Sequence, residues 1–314
     1  MSAHAAGTAE LAEPLPAPVA AAQPGGVGRS SLVNLLFVLP FILLLLALIV
    51  VPVGLGVWLS FQDYDMLSGL EGPVGFANYA NLLTDRVFLQ SLRNTMLFVL
   101  LVTPTFVALG LFLALALNNR YRSSTVLRSI FFGSSVLSVT VVTLIWRLVY
   151  LPERGLLADL LAPFGLPAPD IVANPRLALP GVAVVTVWWI IGLPMTLFLA
   201  GLQQIPPEIY EAAALDNASR WRTLVFVTLP QLRRTIVLVA VIEVILQFQV
   251  FGQILLITGG GPDNASKPIV QFIYEAGFRD WQLGFASAAS QVLFALMMLA
   301  SFAQMWLGRR PEGR

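Results

Sequence analysis

Two acids in opposite settings are the residues best able to do chemistry. Glu243 lies deep in an apolar stretch, with Gln247 one helical turn on and on the same face. A charged group inside a hydrophobic span costs about 3 kcal/mol on insertion scales, so such a pair marks either a polar pathway or a helix–helix contact. Gln249 and Gln253 make a second turn-spaced pair on another face. One stripe could line a pathway and the other face a partner helix. Glu211 belongs to a charged, amphipathic segment, PEIYEAAALDNASRWRTLVFVTLPQLRR, from Pro207 to Arg234. A long structured loop between greasy stretches offers a docking surface.

Other chemistry is excluded by what the sequence lacks. There is no cysteine, and the single histidine is His4, so a cysteine nucleophile, a thiolate or histidine metal site and a histidine base inside the fold are all ruled out. Lys267 is the only lysine, which leaves no Ser–Lys dyad in a span. No G-x-x-x-x-G-K-[ST] occurs; Gly259 to Gly261 runs straight into Pro262. The chain is therefore not expected to be an enzyme, and an ATP-driven process would need a partner to bind ATP and Mg. A net charge of +1 without a basic run gives no reason to expect nucleic acid.

The elements that must position these residues are membrane helices. Of the 314 residues, 57% are hydrophobic and 11% charged, against roughly 25% charged in soluble domains. Six stretches reach the roughly 20 apolar residues that a crossing needs: Leu32 to Leu59, Thr95 to Leu117, Val126 to Tyr150, Leu177 to Leu202, Thr235 to Ile257 and Phe285 to Leu307. Trp58, Tyr150, Trp281 and Trp306 near their ends suit interface belts. With the N-terminus inside, Arg29, Arg120, Arg122, Arg128, Arg220, Arg222, Arg233, Arg234, Arg309, Arg310 and Arg314 are cytoplasmic. Only Arg86, Arg93, Arg147, Arg154, Arg176, Lys267 and Arg279 are then outside or at outer span ends, so the positive-inside rule favours N-in and C-in. The expected domains are a disordered cytoplasmic tail over 1–30, rich in Ala, Pro and Gly; a six-span transmembrane domain over 31–308; and a cytoplasmic tail over 309–314.

The segment over 206–234 is then cytoplasmic. Pro206 and Pro207 open a helix, and Glu208 and Glu211 suit its first turn. Ile209, Ala212, Ala213 and Leu215 make a compact apolar face. Asn217 breaks the pattern and Ser219 caps a second short helix, so the loop reads as a rigid knob.

EAAALDNASRWRTLVFVTLP resembles the EAA loop of binding-protein-dependent ABC importer permeases. Glu211, Ala212, Ala213, Asp216, Ala218, Leu229 and Pro230 match in register. Asn217 stands where the family prefers glycine, and asparagine is the best substitute for a turn that wants positive φ. GFANY at Gly75 to Tyr79, FLAGLQQIP at Phe198 to Pro206, ITGGGP at Ile257 to Pro262, FIYEAGF at Phe272 to Phe278 and GFASAAS at Gly284 to Ser290 look like the carbohydrate-uptake branch. The resemblance implies an all-α integral membrane protein with six transmembrane helices and the type I ABC importer permease fold, coupled by a cytoplasmic helix to an ATPase. It implies a second homologous permease, two ATPase subunits, an extracytoplasmic solute-binding protein and a place in a bacterial or archaeal inner membrane, among lipid. It maps sugar-lining positions onto Ser135 and Val139, onto Thr186, Trp189, Ile190 and Leu193, and onto Glu243, Gln247 and Val250. Trp188 and Trp189 are adjacent, so at most one faces a pathway. The solute is a sugar by this resemblance, with another small polar solute such as glycerol phosphate or a polyol as the alternative. A stand-alone secondary transporter would call for inverted repeats, and none is convincing.

Overall fold

The computed structural model describes residues 30–119 and 121–308. Apart from Ser30, which opens the first helix, the expected tails, and Arg29, Arg120, Arg309, Arg310 and Arg314 of the charge count, lie outside the described residues. By its contacts the chain divides into two compact units, Met1–Pro52 and Val53–Arg314, inside the first expected span rather than at its start.

The first unit holds α1 (Ser30–Leu45), with Pro40 inside it, followed by a single π turn, Leu46–Val50. α2 (Val51–Leu59) begins there and continues into the second unit. The π turn ends two residues before Pro52, and the Val51 N–H reaches back to the Leu46 carbonyl. Proline cannot donate to the helical ladder and crowds the preceding turn, and widening that turn accommodates it.

The described residues are mostly helical, as expected, and the second unit opens with the two strands found among them. Strands β1 (Gln62–Asp65) and β2 (Gly69–Pro73) form an antiparallel hairpin. Asp65 Oδ1 accepts from the Leu67 and Ser68 N–H groups (2.7 and 3.2 Å), closing the turn. α3 (Ala77–Thr84) follows, and Asn78 Nδ2 donates to the Ser60 and Gln62 carbonyls. α4 (Arg86–Leu117) is the long spine, capped by Asp85 and starting well before the expected Thr95. Its buried residues enter all three cores of the unit: Phe98, Val102 and Phe106 the first, Phe88 and Val99 the second, Ala114 and Leu117 the third.

Three expected spans are broken where the sequence suggested continuous helices. α5 (Arg122–Ser134) and α6 (Val139–Val149) meet at 96°, and α8 (Ala178–Ile190) and α9 (Gly192–Gln203) at 48°. Short α7 (Leu156–Leu161) lies between those pairs. The loop helix α10 (Pro207–Leu215) leads to α11 (Arg220–Thr223), a π turn over Leu224–Thr228, and α12 (Leu229–Gln231). α13 (Arg233–Phe248) then leaves at 65°. The fifth expected span does not run on to Ile257: it stops at Phe248, and α14 (Gly252–Ile257) starts afresh. Gln249 and Gln253 consequently lie on different elements and do not form one stripe. α15 (Ile269–Phe278) and α16 (Leu283–Gly308) complete the chain. Among the described residues, three helices are long and apolar enough to cross a membrane, or up to six segments if each bent pair counts as one. Tyr150 is a further correction: it is 5% exposed and its hydroxyl donates to the Gly181 carbonyl (3.0 Å), so it ties the core rather than anchoring at an interface.

Glycines let α9 approach its neighbours. A Cβ at Gly110 of α4 would stand 2.9 Å from Pro194 Cβ, and one at Gly201 of α9 2.6 Å from Thr235 Oγ1. At Gly192 it would meet the Phe131 carbonyl and Phe132 Cα, which are backbone and cannot move aside. Membrane helices gain from such close van der Waals contact because lipid supplies no hydrophobic drive between them. Gly192→Val should therefore cost at least about 1–3 kcal/mol, read as a lowered melting temperature in detergent; an unchanged melt would show that α5 and α9 do not depend on that contact.

Candidate functional site

The breaks in α5–α6, α8–α9 and α13–α14 converge. At the first, serines replace the helical ladder: Ser134 Oγ donates to the Phe131 carbonyl (2.8 Å), Ser135 Oγ to Phe132 (2.6 Å), and Ser138 caps α6 by accepting from the Val141 N–H. Ser134 Oγ also donates to the Trp189 carbonyl (2.9 Å), and Trp189 Nε1 donates to the Leu137 carbonyl (3.1 Å). The α8 end is thus bonded across to the elbow from both directions. On the third element, Gly252 leaves room for Val139, whose Cγ2 would stand 3.3 Å from an added Cβ. Gln253 Nε2 reaches Thr186 Oγ1 at 3.5 Å.

These contacts assemble much of the expected pathway set. Ser135 and Val139 sit at the elbow and are half-buried. Thr186 is fully buried, its hydroxyl turned to the Val182 carbonyl (2.9 Å). Val250 belongs to the core formed by α4, α6, α8 and α14, and Trp189 and Ile190 pack against it. Leu193 is half-buried in the first turn of α9. Trp188 points elsewhere, edge-on to Trp146 at 5.6 Å, so the neighbouring tryptophans do diverge. Glu243 and Gln247 lie about two turns and one turn back along α13, 0% and 2% exposed. Gln247 Nε2 donates to Glu243 Oε2 (3.0 Å), while Oε1 has no partner. Sequence reasoning did not single out Ser134 or Ser138, although the run GSSVLS at Gly133 to Ser138 carries the hydroxyls that an elbow needs.

The loop is a second site. The N–H of Ala218 donates to the Ala213 carbonyl (3.0 Å) and that of Asn217 to Ala214 (3.1 Å), a closed helix C-terminus that places Asn217 at φ 54°. Asparagine occupies the left-handed conformation for which glycine is the usual choice. Ser219 accepts from the Arg222 N–H (3.3 Å) and starts the second helix. Thr228 Oγ1 bonds the Tyr210 hydroxyl (3.4 Å) and ties the two helices together. The inner face is narrower than expected: Ala213 is buried and Ile209 half-buried, but Ala212 and Leu215 point outward. Glu211, Asp216 and Pro230 are exposed, Ala218 and Leu229 half-buried. Leu215, Trp221 and Phe226 stand 84%, 72% and 72% exposed on this otherwise charged loop. Beside it, Glu211 and Arg128 line an open cleft of about 900 Å³. Arg128 is spent on the Leu117 and Asn119 carbonyls at the end of α4. Among the described residues Glu211 makes no hydrogen bond or ion pair.

The family described as binding-protein-dependent transport system inner membrane component matches residues 95–313. The chain belongs to that family. It is 31% identical to a probable ABC transporter permease of Bacillus subtilis, over 89% of this chain and 97% of that one. It is 33% identical to the diacetylchitobiose uptake system permease of Streptomyces coelicolor, over 98% and 91%. Its fold is similar to a chain of the bacterial alginate ABC transporter crystallised with an alginate pentasaccharide-bound periplasmic protein, with a TM-score of 0.79, 21% identity, and 90% and 96% of the two chains covered.

One polar cluster of the permease titrates. The ITGGGP loop is held by Gln271, whose Nε2 donates to the Gly259 carbonyl and to Glu275 Oε1 (both 2.9 Å). Lys267 Nζ lies 2.7 Å from Glu275 Oε2 and Arg279 Nη1 3.7 Å from Oε1. Burial pushes the Glu275 carboxyl up, but bonds from Lys267 and Gln271 and the two positive charges outweigh it and hold it below the usual carboxylate range. A depressed folded pKa stabilises above the unfolded pKa, and that contribution is lost as pH falls through the folded value. The melting-temperature gap between wild type and Glu275→Gln should close as pH falls through and below the ordinary glutamate value of about 4.3; a constant gap would mean that the carboxylate charge contributes nothing.

Proposed function

We propose that this permease forms half of the translocation pathway of an ATP-driven sugar importer. The observation that carries the reading is the meeting of three helix breaks, at Ser135–Ser138, Ile191 and Gln249–Phe251. Broken helices at membrane depth are tolerated where their free backbone groups are covered by protein or line a polar cavity, and transporters build solute sites there. Ser135, Val139, Thr186, Trp189, Ile190, Leu193 and Val250 would border the solute, and Glu243 and Gln247 would join them as α13 moves. Hydroxyls on Ser135 and Thr186 and the Gln253 amide can bond sugar hydroxyls, and the Trp189 ring can cover a sugar face. A saccharide fits the diacetylchitobiose and alginate systems named among the similar proteins.

The chain would cross the membrane six times, with both termini inside, α5–α6 and α8–α9 each making one span and α13 the fifth. Glu211, Ala212, Ala213, Asp216, Asn217, Ala218, Leu229 and Pro230 would form the coupling helix. Its exposed Leu215, Trp221 and Phe226 suit burial in an ATPase subunit. Two such subunits would bind ATP and Mg, a second homologous permease would complete the pathway, and an extracytoplasmic binding protein would deliver the solute. ATPase closure would then rock the spans between inward- and outward-open forms.

Glu211→Lys in the assembled transporter should abolish coupled uptake, by at least about tenfold, while the protein still inserts and pairs with its permease partner. Thr186→Ala with Gln253→Ala should raise the KM for uptake by roughly 2- to 10-fold, the worth of a hydrogen bond or two, with assembly unchanged. Wild-type uptake by the first variant would remove the coupling role, and an unchanged KM in the second would remove these residues from the pathway.

A further inference from the structure

A groove between α4 and α8 has the chemistry of a lipid site. Its upper part is a pocket of about 510 Å³ bordered by Arg93 and Arg176 together with Gln90 and Asn94. Its lower part, about 460 Å³, is walled by Thr105, Leu109, Val184 and Trp188. Leu101 and Pro180 border both, so the two parts adjoin end to end. On α4 the wall is one stripe at four-residue spacing, Arg93, Leu97, Leu101, Thr105 and Leu109. The facing wall has the same spacing, Arg176 in the turn before α8, then Pro180, Val184 and Trp188. Each stripe starts with a guanidinium and becomes apolar.

The donors at the mouth are the two arginines. Gln90 and Asn94 spend their amides on the carbonyls of Asp263, Asn264 and Lys267 (2.8–3.0 Å). Arg93 and Arg176 are exposed, and among the described residues neither side chain has a hydrogen bond or ion pair. Below them the only hydroxyl, on Thr105, is turned back to the Leu101 carbonyl (2.7 Å), which leaves the wall dry. The groove also differs from the helix contacts of this protein. Those bring backbones together through Gly110, Gly192 and Gly201, whereas Leu97, Leu101, Leu109, Val184 and Trp188 are large and 42–55% exposed. Bulky side chains along an open furrow suit a flexible acyl chain better than the close approach of another helix.

We infer that this groove binds an anionic phospholipid, its phosphate between Arg93 and Arg176 and one acyl chain along Leu101, Leu109, Val184 and Trp188. Two arginines on one headgroup phosphate give geometry as well as charge. The inference stands apart from the coupling and sugar readings, since it uses none of their residues.

The test uses the assembled transporter, purified through a tag on this chain and reconstituted with phosphatidylglycerol or phosphatidylcholine carrying brominated acyl chains, which quench nearby tryptophans. Saturable quenching that Trp188→Phe removes reports occupancy of the groove. Wild type should prefer phosphatidylglycerol by roughly tenfold, and Arg93→Gln with Arg176→Gln should reduce that to about parity while leaving assembly intact, because both residues are exposed. Equal affinity for the two lipids in wild type, or a preference untouched by the arginine substitutions, would overturn the inference. So would a photo-crosslinker at Leu101 that joins the partner permease instead of lipid, since that would make the groove a subunit interface.

Discussion

The constraint on which this structure depends is the satisfaction of backbone polar groups where a helix stops inside an apolar protein. Each such interruption frees N–H and C=O groups that hydrocarbon cannot bond, at several kcal/mol apiece. The permease meets the requirement by setting interruptions against one another. Ser134 and Trp189 close the α5–α6 elbow against the end of α8, and Gly252 lets Val139 rest on the start of α14. α4 lies along all of this as an unbroken spine that feeds three cores.

The loop solves the same problem outside the hydrophobic region. Its first helix is closed by bonds from Asn217 and Ala218, and its second is opened by Ser219. A π turn at Leu224–Thr228 absorbs Pro230, as the earlier one absorbs Pro52. The Thr228–Tyr210 bond links the two helices, while Leu215, Trp221, Phe226 and Glu211 stand exposed. A lever needs both stiffness and a free face.

The loop was legible in the sequence because its signals are local. Proline at the start, a left-handed asparagine and a serine cap each act over three or four residues, and each is found where the sequence put it. The interruptions in the third, fourth and fifth expected spans were not legible, because hydropathy counts apolar residues and is blind to direction. Ile191 and Gln249 to Phe251 look like any other membrane sequence until Gly192 and Gly252 find their neighbours. The serines at 134, 135 and 138 were the one available hint. The hairpin at Gln62–Pro73 escaped for a different reason: its glycines and acids read as loop, and its turn is closed by Asp65 rather than by a hydrophobic pattern. Tyr150 stood where an interface anchor belongs, and only its bond to Gly181 shows it to be structural.

The central claim is that the three breaks enclose the solute path. The chain has no cysteine, so labelling read on this chain alone, after the subunits are separated, reports each introduced cysteine by itself. Ser135→Cys, Val139→Cys and Gln253→Cys, each in the assembled transporter, would be treated with a small water-soluble thiol reagent through the transport cycle, with and without the transported solute. The account predicts that all three react in at least one state and that solute slows the reaction, while a cysteine at Ala288, fully buried in the second core, stays inert. Failure of all three to react in any state, or rates indifferent to solute, would contradict it.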